Sequence, residues 1–273
     1  MLRMVAHKHN PPFRLLLSLA ASMVISMLGL ILTRHFAPLS WLRANNDVAG
    51  NYLQTVGTIY AVLLAFVVFV VWQQHNDARG AVEAEANELS DLYRTLKALP
   101  GTERARECAQ AYGRAVVVQE WAAMARRHPS PEAELALEAI WQALQDIEVG
   151  AGRQEVLYAE VMGRFNDLSD ARSRRLYCTL LRVPRSLWVL LFTNGGLVVG
   201  SMWLFGLKSF LAHAIMTVAL AVSIAFILFL VADLDNPFWG SWQIGPEAFE
   251  RVLAEKPPAE ARAPAGGASD ISH

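Results

Sequence analysis

The chain has 273 residues, 54% of them hydrophobic and 18% charged, and its net charge is −1. That balance argues against a nucleic-acid partner, and two cysteines without ligand spacing, Cys108 and Cys178, provide neither a disulfide framework nor a metal site. Charges are almost absent from four windows of membrane-crossing length and dense between residues 74 and 186, which points to an integral membrane protein in the lipid bilayer.

The first window runs Leu15 to Leu32 and the second Leu53 to Trp72, the third Leu187 to Phe205 and the fourth Phe210 to Ala232. Spans of roughly 18–23 residues cover about 27–35 Å at helical rise, enough for a hydrocarbon core. Soluble helices normally keep a charged face, and these windows have none. The first follows a basic start (Arg3, Lys8, Arg14), but its apolar run exceeds a signal-peptide core of about 7–15 residues and no A-x-A-like site follows, so a retained helix is expected.

Lys and Arg excess beside span ends marks the cytoplasmic face. Arg3, Lys8 and Arg14 precede span one, and Arg182 and Arg185 precede span three. The intervening loop has Arg34 and Arg43, partly offset by Asp47, and the third loop only Lys208. With an even number of spans, both termini and the middle region share one side, assigned to the cytoplasm. Trp72, Trp188, Trp203, Phe238, Trp239 and Trp242, with Trp41 on the outer side, fall where amphipathic rings favour the interface.

Span two holds a small-residue stripe, Gly57, Ala61 and Ala65, and a separate line of Phe66, Val70 and Gln73 with Phe69 beside it. The second line reads either as lipid-facing bulk or as the hydrophobic constriction of an oligomeric pore. Apolar residues at Val82, Leu89, Leu92, Leu96 and Leu99 continue a helical face past Gly80, so span two is expected to run on as one long helix to Pro100-Gly101. A second helix is expected from Thr102, as N-cap, to Arg127, and a third from Ser130-Pro131-Glu132 to about Val149. A fourth follows from about Arg153 to Leu181.

Span three carries a polar step, Asn194-Gly195-Gly196, near mid-membrane. Asn194 there needs a partner, either another helix or a water-filled path. Span four ends in Asp233-Leu234-Asp235-Asn236-Pro237-Phe238-Trp239-Gly240, which reads as a solvated helix stop or as a fixed charged junction. His75 and His213 are isolated near span ends, as packing residues are. No phosphate loop, nucleophile elbow or metal-spaced cluster is present, so neither an enzyme nor a cofactor nor a metal is expected.

Three stretches carry a family resemblance. They are Ala78-Arg79-Gly80-Ala81-Val82-Glu83-Ala84-Glu85-Ala86-Asn87, then Arg174-Arg175-Leu176 leading through Val183-Pro184 to Leu187-Trp188, and Leu234-Asp235-Asn236-Pro237-Phe238-Trp239-Gly240. Together the chain resembles the bestrophin-like family of bacterial membrane proteins over about residues 15–250. Bestrophins proper, more distant relatives, are pentameric anion channels whose second span lines a hydrophobic neck. Their Pro-Phe-Gly stretch joins a calcium clasp, whereas here Trp239 separates Phe238 from Gly240 and the run of acids is missing.

The resulting expectation is an all-α membrane protein in which four transmembrane helices form two hairpins flanking a cytoplasmic helical domain. Residues 1–14 form a cytoplasmic segment, 15–72 and 187–232 the hairpins, 73–186 the helical domain, 233–256 a junction and 257–273 a disordered tail. The resemblance implies a homo-oligomer, with a pentamer as precedent, passing inorganic ions, anions before cations. Phe66, Phe69, Val70 and Gln73 are its pore-lining candidates. The rival reading is a membrane-anchored protein whose helical domain docks a partner.

Overall fold

The computed structural model describes residues 11–255, and every regular element among them is helical. The expected tail at 257–273 and most of the amino-terminal segment lie outside those residues. The described chain divides into two compact units: residues up to Asn76 with Leu181–Gln243, and Asp77–Leu180 with the residues from Ile244 onward.

The first unit holds α1 (Pro11–Phe36), a short α2 (Leu39–Ala44), the first part of α3 (Asn46–Leu96), α8 (Arg185–Trp203) and α9 (Phe210–Leu234). All but α2 are long and apolar enough to cross a membrane. Each is longer than its apolar window or offset from it, because a helix continues into flanking polar residues while its backbone bonds remain available. Arg34 and His35 thus close α1, where a helix end favours cations.

The inner face of α3 presents Tyr60, Leu64, Val67 and Val71, a three–four spacing that turns one stripe inward. These side chains pack with Leu191 and Val198 of α8 and Leu228 and Val231 of α9. At the Trp203–Phe210 turn the backbone is held by side chains. Gly206 donates its N–H to Asn46 Oδ1 at 2.8 Å, and its carbonyl accepts from Arg43 Nε at 3.3 Å. Arg34 donates to the carbonyl of Leu207. A Cβ on Gly206 would lie 2.5 Å from the Arg43 backbone nitrogen, so only glycine fits.

The second unit holds the remainder of α3, α4 (Glu103–Ala115), a π-helical turn at Val116–Glu120, α5 (Trp121–Ala125), α6 (Pro131–Gln145), α7 (Arg153–Cys178) and α10 (Glu247–Glu255). Ser130 caps α6, its hydroxyl accepting from the Ala133 N–H at 3.4 Å with Pro131 in the first turn. Thr102 departs from its expected role. Its hydroxyl donates to the carbonyls of Leu96 and Leu99 at 2.6 and 2.9 Å, closing the end of α3 rather than capping α4. Helices α6 and α7 stop at Gln145 and Cys178, short of Val149 and Leu181.

The expected helix from Thr102 to Arg127 is interrupted by the π turn. One extra residue in a turn rotates all that follows by about 100°. The β-branched run Val116–Val118 crowds a regular helix at that place. The result is that Glu120 points inward, fully buried, with Trp121 and Met124 beside it.

Around Glu120 the core is ionic. The Arg175 guanidinium pairs bidentately with Glu85 (2.5 and 3.0 Å) and also with Glu120, all three fully buried. Arg172 bridges Glu120 at 2.6 Å and Glu134 at 2.5 Å, so acid and base alternate Glu85–Arg175–Glu120–Arg172–Glu134. Tyr112 donates its hydroxyl to Glu85. Burial, then the Glu85 charge, raise the Tyr112 phenol well above its usual range. Burial alone lowers the pKa of Arg175, but the charge and hydrogen bond of Glu85, then the charge of Glu120, outweigh it and hold it above its ordinary value.

Desolvating such charges costs several kcal/mol each, an expense that good geometry offsets and a missing partner does not. Arg175→Met leaves buried Glu85 without an ion-pair partner and Glu120 with Arg172 alone, and is expected to destabilise the protein by roughly 3–5 kcal/mol in thermal unfolding in detergent. Arg164→Met, which removes only surface pairs with Glu88, Asp91 and Glu160, is expected to leave the melting temperature nearly unchanged. Equal losses would contradict the ionic core.

Candidate functional site

The face of α3 opposite its packed stripe is exposed along the first unit. It presents Thr55, Thr58, Val62, Phe66, Phe69, Gln73 and Asn76 at successive steps of three and four, which is one line along a helix. Phe66 and Phe69 are 64% and 65% exposed, so neither belongs to the core of its own chain. Val70 is half-buried and stands to one side of this line. The line is polar, then apolar, then polar. Thr55 and Thr58 return their hydroxyls to the carbonyls of Asn51 and Gln54 at 3.0 and 2.7 Å, and the apolar stretch from Val62 to Phe69 is about 10 Å long.

Other outward faces differ. Between Leu16 and Leu32 the exposed side chains of α1 are all apolar, Leu16, Leu17, Val24, Leu28 and Ile31 among them. That is the composition a lipid-facing helix requires. Of the small residues on α3, Ala61 and Ala65 are exposed and nothing lies within 4 Å of a Cβ placed on Gly57. They form a flank beside the outward line, open to close approach by a further helix.

The polar step on α8 resolves into two functions. Asn194 donates its amide to the carbonyl of Leu190 at 3.0 Å, so its partner is its own helix. Gly195 is buried, and a Cβ there would lie 2.8 Å from the Tyr60 hydroxyl, so its absence sets the approach of α8 to α3. Gly196 has nothing within 4 Å of an added Cβ.

After α9 the chain folds back on itself. The Asp233 carboxylate, 6% exposed, accepts from the Ser241 N–H at 3.0 and 3.3 Å. Asp235 Oδ1 accepts from the Val183 N–H at 2.7 Å, tying this turn to the segment ahead of α8. Asn236 opens the turn, its carbonyl accepting from the Trp239 N–H at 3.1 Å. Pro237 and Phe238 are buried beneath it. Gly240 has φ +111°, and a Cβ would lie 2.4 Å from Asp233 Oδ1.

The two histidines lie in packing positions: His75 stacks on Trp72, and buried His213 faces the Met202 carbonyl at 2.7 Å. Among the described residues no three His, Cys, Asp or Glu side chains converge as a metal site. Gly206 and its partners Arg43 and Asn46 escape sequence reasoning, although a glycine in a short turn between two spans is a signal that φ freedom or close approach is needed.

Gly240→Ala is expected to lower stability by about 2 kcal/mol or more, because it both strains φ and displaces Asp233. Gly200→Ala, whose Cβ would make an ordinary contact 3.9 Å from Trp203, is expected to stay within about 0.5 kcal/mol of wild type or improve on it. Thermal melting of the purified variants distinguishes the two.

The same helical arrangement occurs in solved structures. A crystallised variant of a bacterial bestrophin homologue from Klebsiella pneumoniae superposes with a TM-score of 0.66 at 14% identity, covering 88% of this chain and 97% of that one. A second variant of the Klebsiella homologue gives 0.65 at 13%, covering 89% and 98%. A crystallised membrane-protein variant gives 0.66 at 13% identity, over 87% and 95%. No curated protein matches the sequence. The model of the bestrophin-like domain matches residues 20–249, and with its four apolar helices this multi-pass membrane protein belongs to the bestrophin-like family.

Proposed function

We propose that the chain assembles into a homo-oligomeric ion channel in which the outward face of α3 lines the pathway. The carrying observation is the polar–apolar–polar line from Thr55 to Asn76, exposed in a membrane-crossing helix, whereas α1 exposes only apolar side chains between Leu16 and Leu32. Arranged around an axis, Val62, Phe66 and Phe69 form a hydrophobic neck that gates by dewetting, with hydroxyl and amide groups at either mouth. The Gly57–Ala65 flank lets adjacent copies of α3 approach closely.

Resemblance to bestrophins supports a pentamer and favours anions over cations. The residues on the line are uncharged from Thr55 to Asn76, so selection within the neck rests on hydration and on the amide and hydroxyl dipoles rather than on fixed charge. The lysines and arginines flanking spans one and three support a cytoplasmic position for both termini and for the second unit, in a bacterial inner membrane. On this reading the Asp233–Gly240 junction is a cytoplasmic brace at the end of α9.

Protein reconstituted in planar bilayers is expected to pass current, with a reversal potential in a chloride gradient on the anion side. Phe66→Ala and Phe69→Ala are expected to raise conductance or open probability severalfold, whereas Val70→Ala is expected to alter stability more than conduction. Silent bilayers at high protein density, with a monomeric particle, would favour the membrane-anchored docking protein instead.

A further inference from the structure

In the first unit, α1, α8 and α9 line an open cavity of about 620 Å³. Ser18, Ser22 and Ser26 line it from α1, one per turn. Each hydroxyl is already donated to a backbone carbonyl, of Leu15, Ala221 and Met23 respectively, at 2.8–2.9 Å. The opposite walls are apolar: Phe192, Gly195 and Gly196 on α8, Ala221, Ala225 and Phe229 among others on α9. Trp188 and Trp203 mark its two ends, and the Trp203 indole N–H is donated to the Ser26 carbonyl at 3.1 Å. The cavity therefore presents hydrocarbon and no free donor among its lining hydroxyls and indole N–H of Trp203.

From Trp188 to Trp203 the cavity runs roughly 22 Å along α8, of the order of an extended lipid acyl chain. The charge at one end is complementary to such a lipid. Arg14 lies one turn before Ser18 and rests over the Trp239 ring at 4.5 Å, and Arg185 lies one turn before Trp188. Neither forms an ion pair with a carboxylate among the described residues.

We propose that this cavity is a phospholipid site, with one acyl chain lying between α1, α8 and α9 and the phosphate held by Arg14 and Arg185. Guanidinium groups suit phosphate oxygens and distinguish this lipid from bulk bilayer, while the cavity adds van der Waals packing along its acyl chain. The site does not require that the protein conduct ions.

The test is native mass spectrometry of the intact protein, delipidated in detergent and titrated with phosphatidylglycerol. Wild type is expected to retain one phosphatidylglycerol per protomer. Gly196→Leu fills the cavity from a position with no neighbour to clash, and is expected to weaken retention about tenfold or more at unchanged elution volume. Ala225→Leu gives the same readout from α9 if the first variant purifies poorly. Arg14→Gln with Arg185→Gln is expected to weaken it severalfold. Equal lipid retention by the cavity-filling variants would overturn the proposal. So would a wild-type protein without retained lipid whose oligomer dissociates on Gly196→Leu, since a neighbouring copy would then cover the cavity.

Discussion

The structure depends on α3 being unbroken. Within hydrocarbon no water satisfies backbone groups, so a span must be helical throughout. Here the helix continues past that requirement for 51 residues and contributes to both units. Gly80 does not interrupt it, because a single helical glycine costs only about 1 kcal/mol and residues buried on either side, Ala78, Ala81 and Val82, repay that by packing. One face of the helix is thereby committed to packing over its whole length. The opposite face is committed to whatever lies outside the chain, and its changing polarity is what points to a pathway rather than to lipid.

The second unit meets a different constraint. Its core buries two arginines and two glutamates, which is tolerable only because every charge is paired in alternation. The π turn is part of that solution, since without its extra residue Glu120 would face elsewhere and Arg175 would lose its second partner. Trp121 and Phe249 close the cluster, their rings 5.7 and 5.8 Å from the Arg175 guanidinium, and the Trp121 indole N–H is donated to the Ile244 carbonyl. The same aromatic pair thus docks α10 onto the charged core.

Much of this was legible in the residues. Charge-free windows located the four membrane helices, the three–four spacing beyond Trp72 implied a continuous α3, and Ser130-Pro131 marked the start of α6. Phe66, Val70 and Gln73 were recognisable as a line with Phe69 beside it, but which side of the helix is packed was not; Val70 is half-buried, whereas Phe66, Phe69 and Gln73 are exposed. Periodicity within one segment defines faces and cannot name their partners. The Glu85–Arg175 pair is 90 residues apart, and the π turn differs from an α turn by a single residue. The α10 helix was missed because nine residues make too short a pattern to read beside a junction rich in Gly, Pro and Trp. Thr102 shows a similar limit: a hydroxyl before a helix can cap forward or bond backward, and the end of α3 decided.

The central claim is that the outward face of α3 surrounds an axis. An image of the intact particle in detergent or nanodiscs, resolved well enough to count subunits and orient side chains, tests it most directly. The account predicts a symmetric homo-oligomer, with copies of α3 innermost and Phe66 and Phe69 directed at the axis. A monomer, or an assembly in which α3 turns these phenylalanines toward lipid, would contradict it.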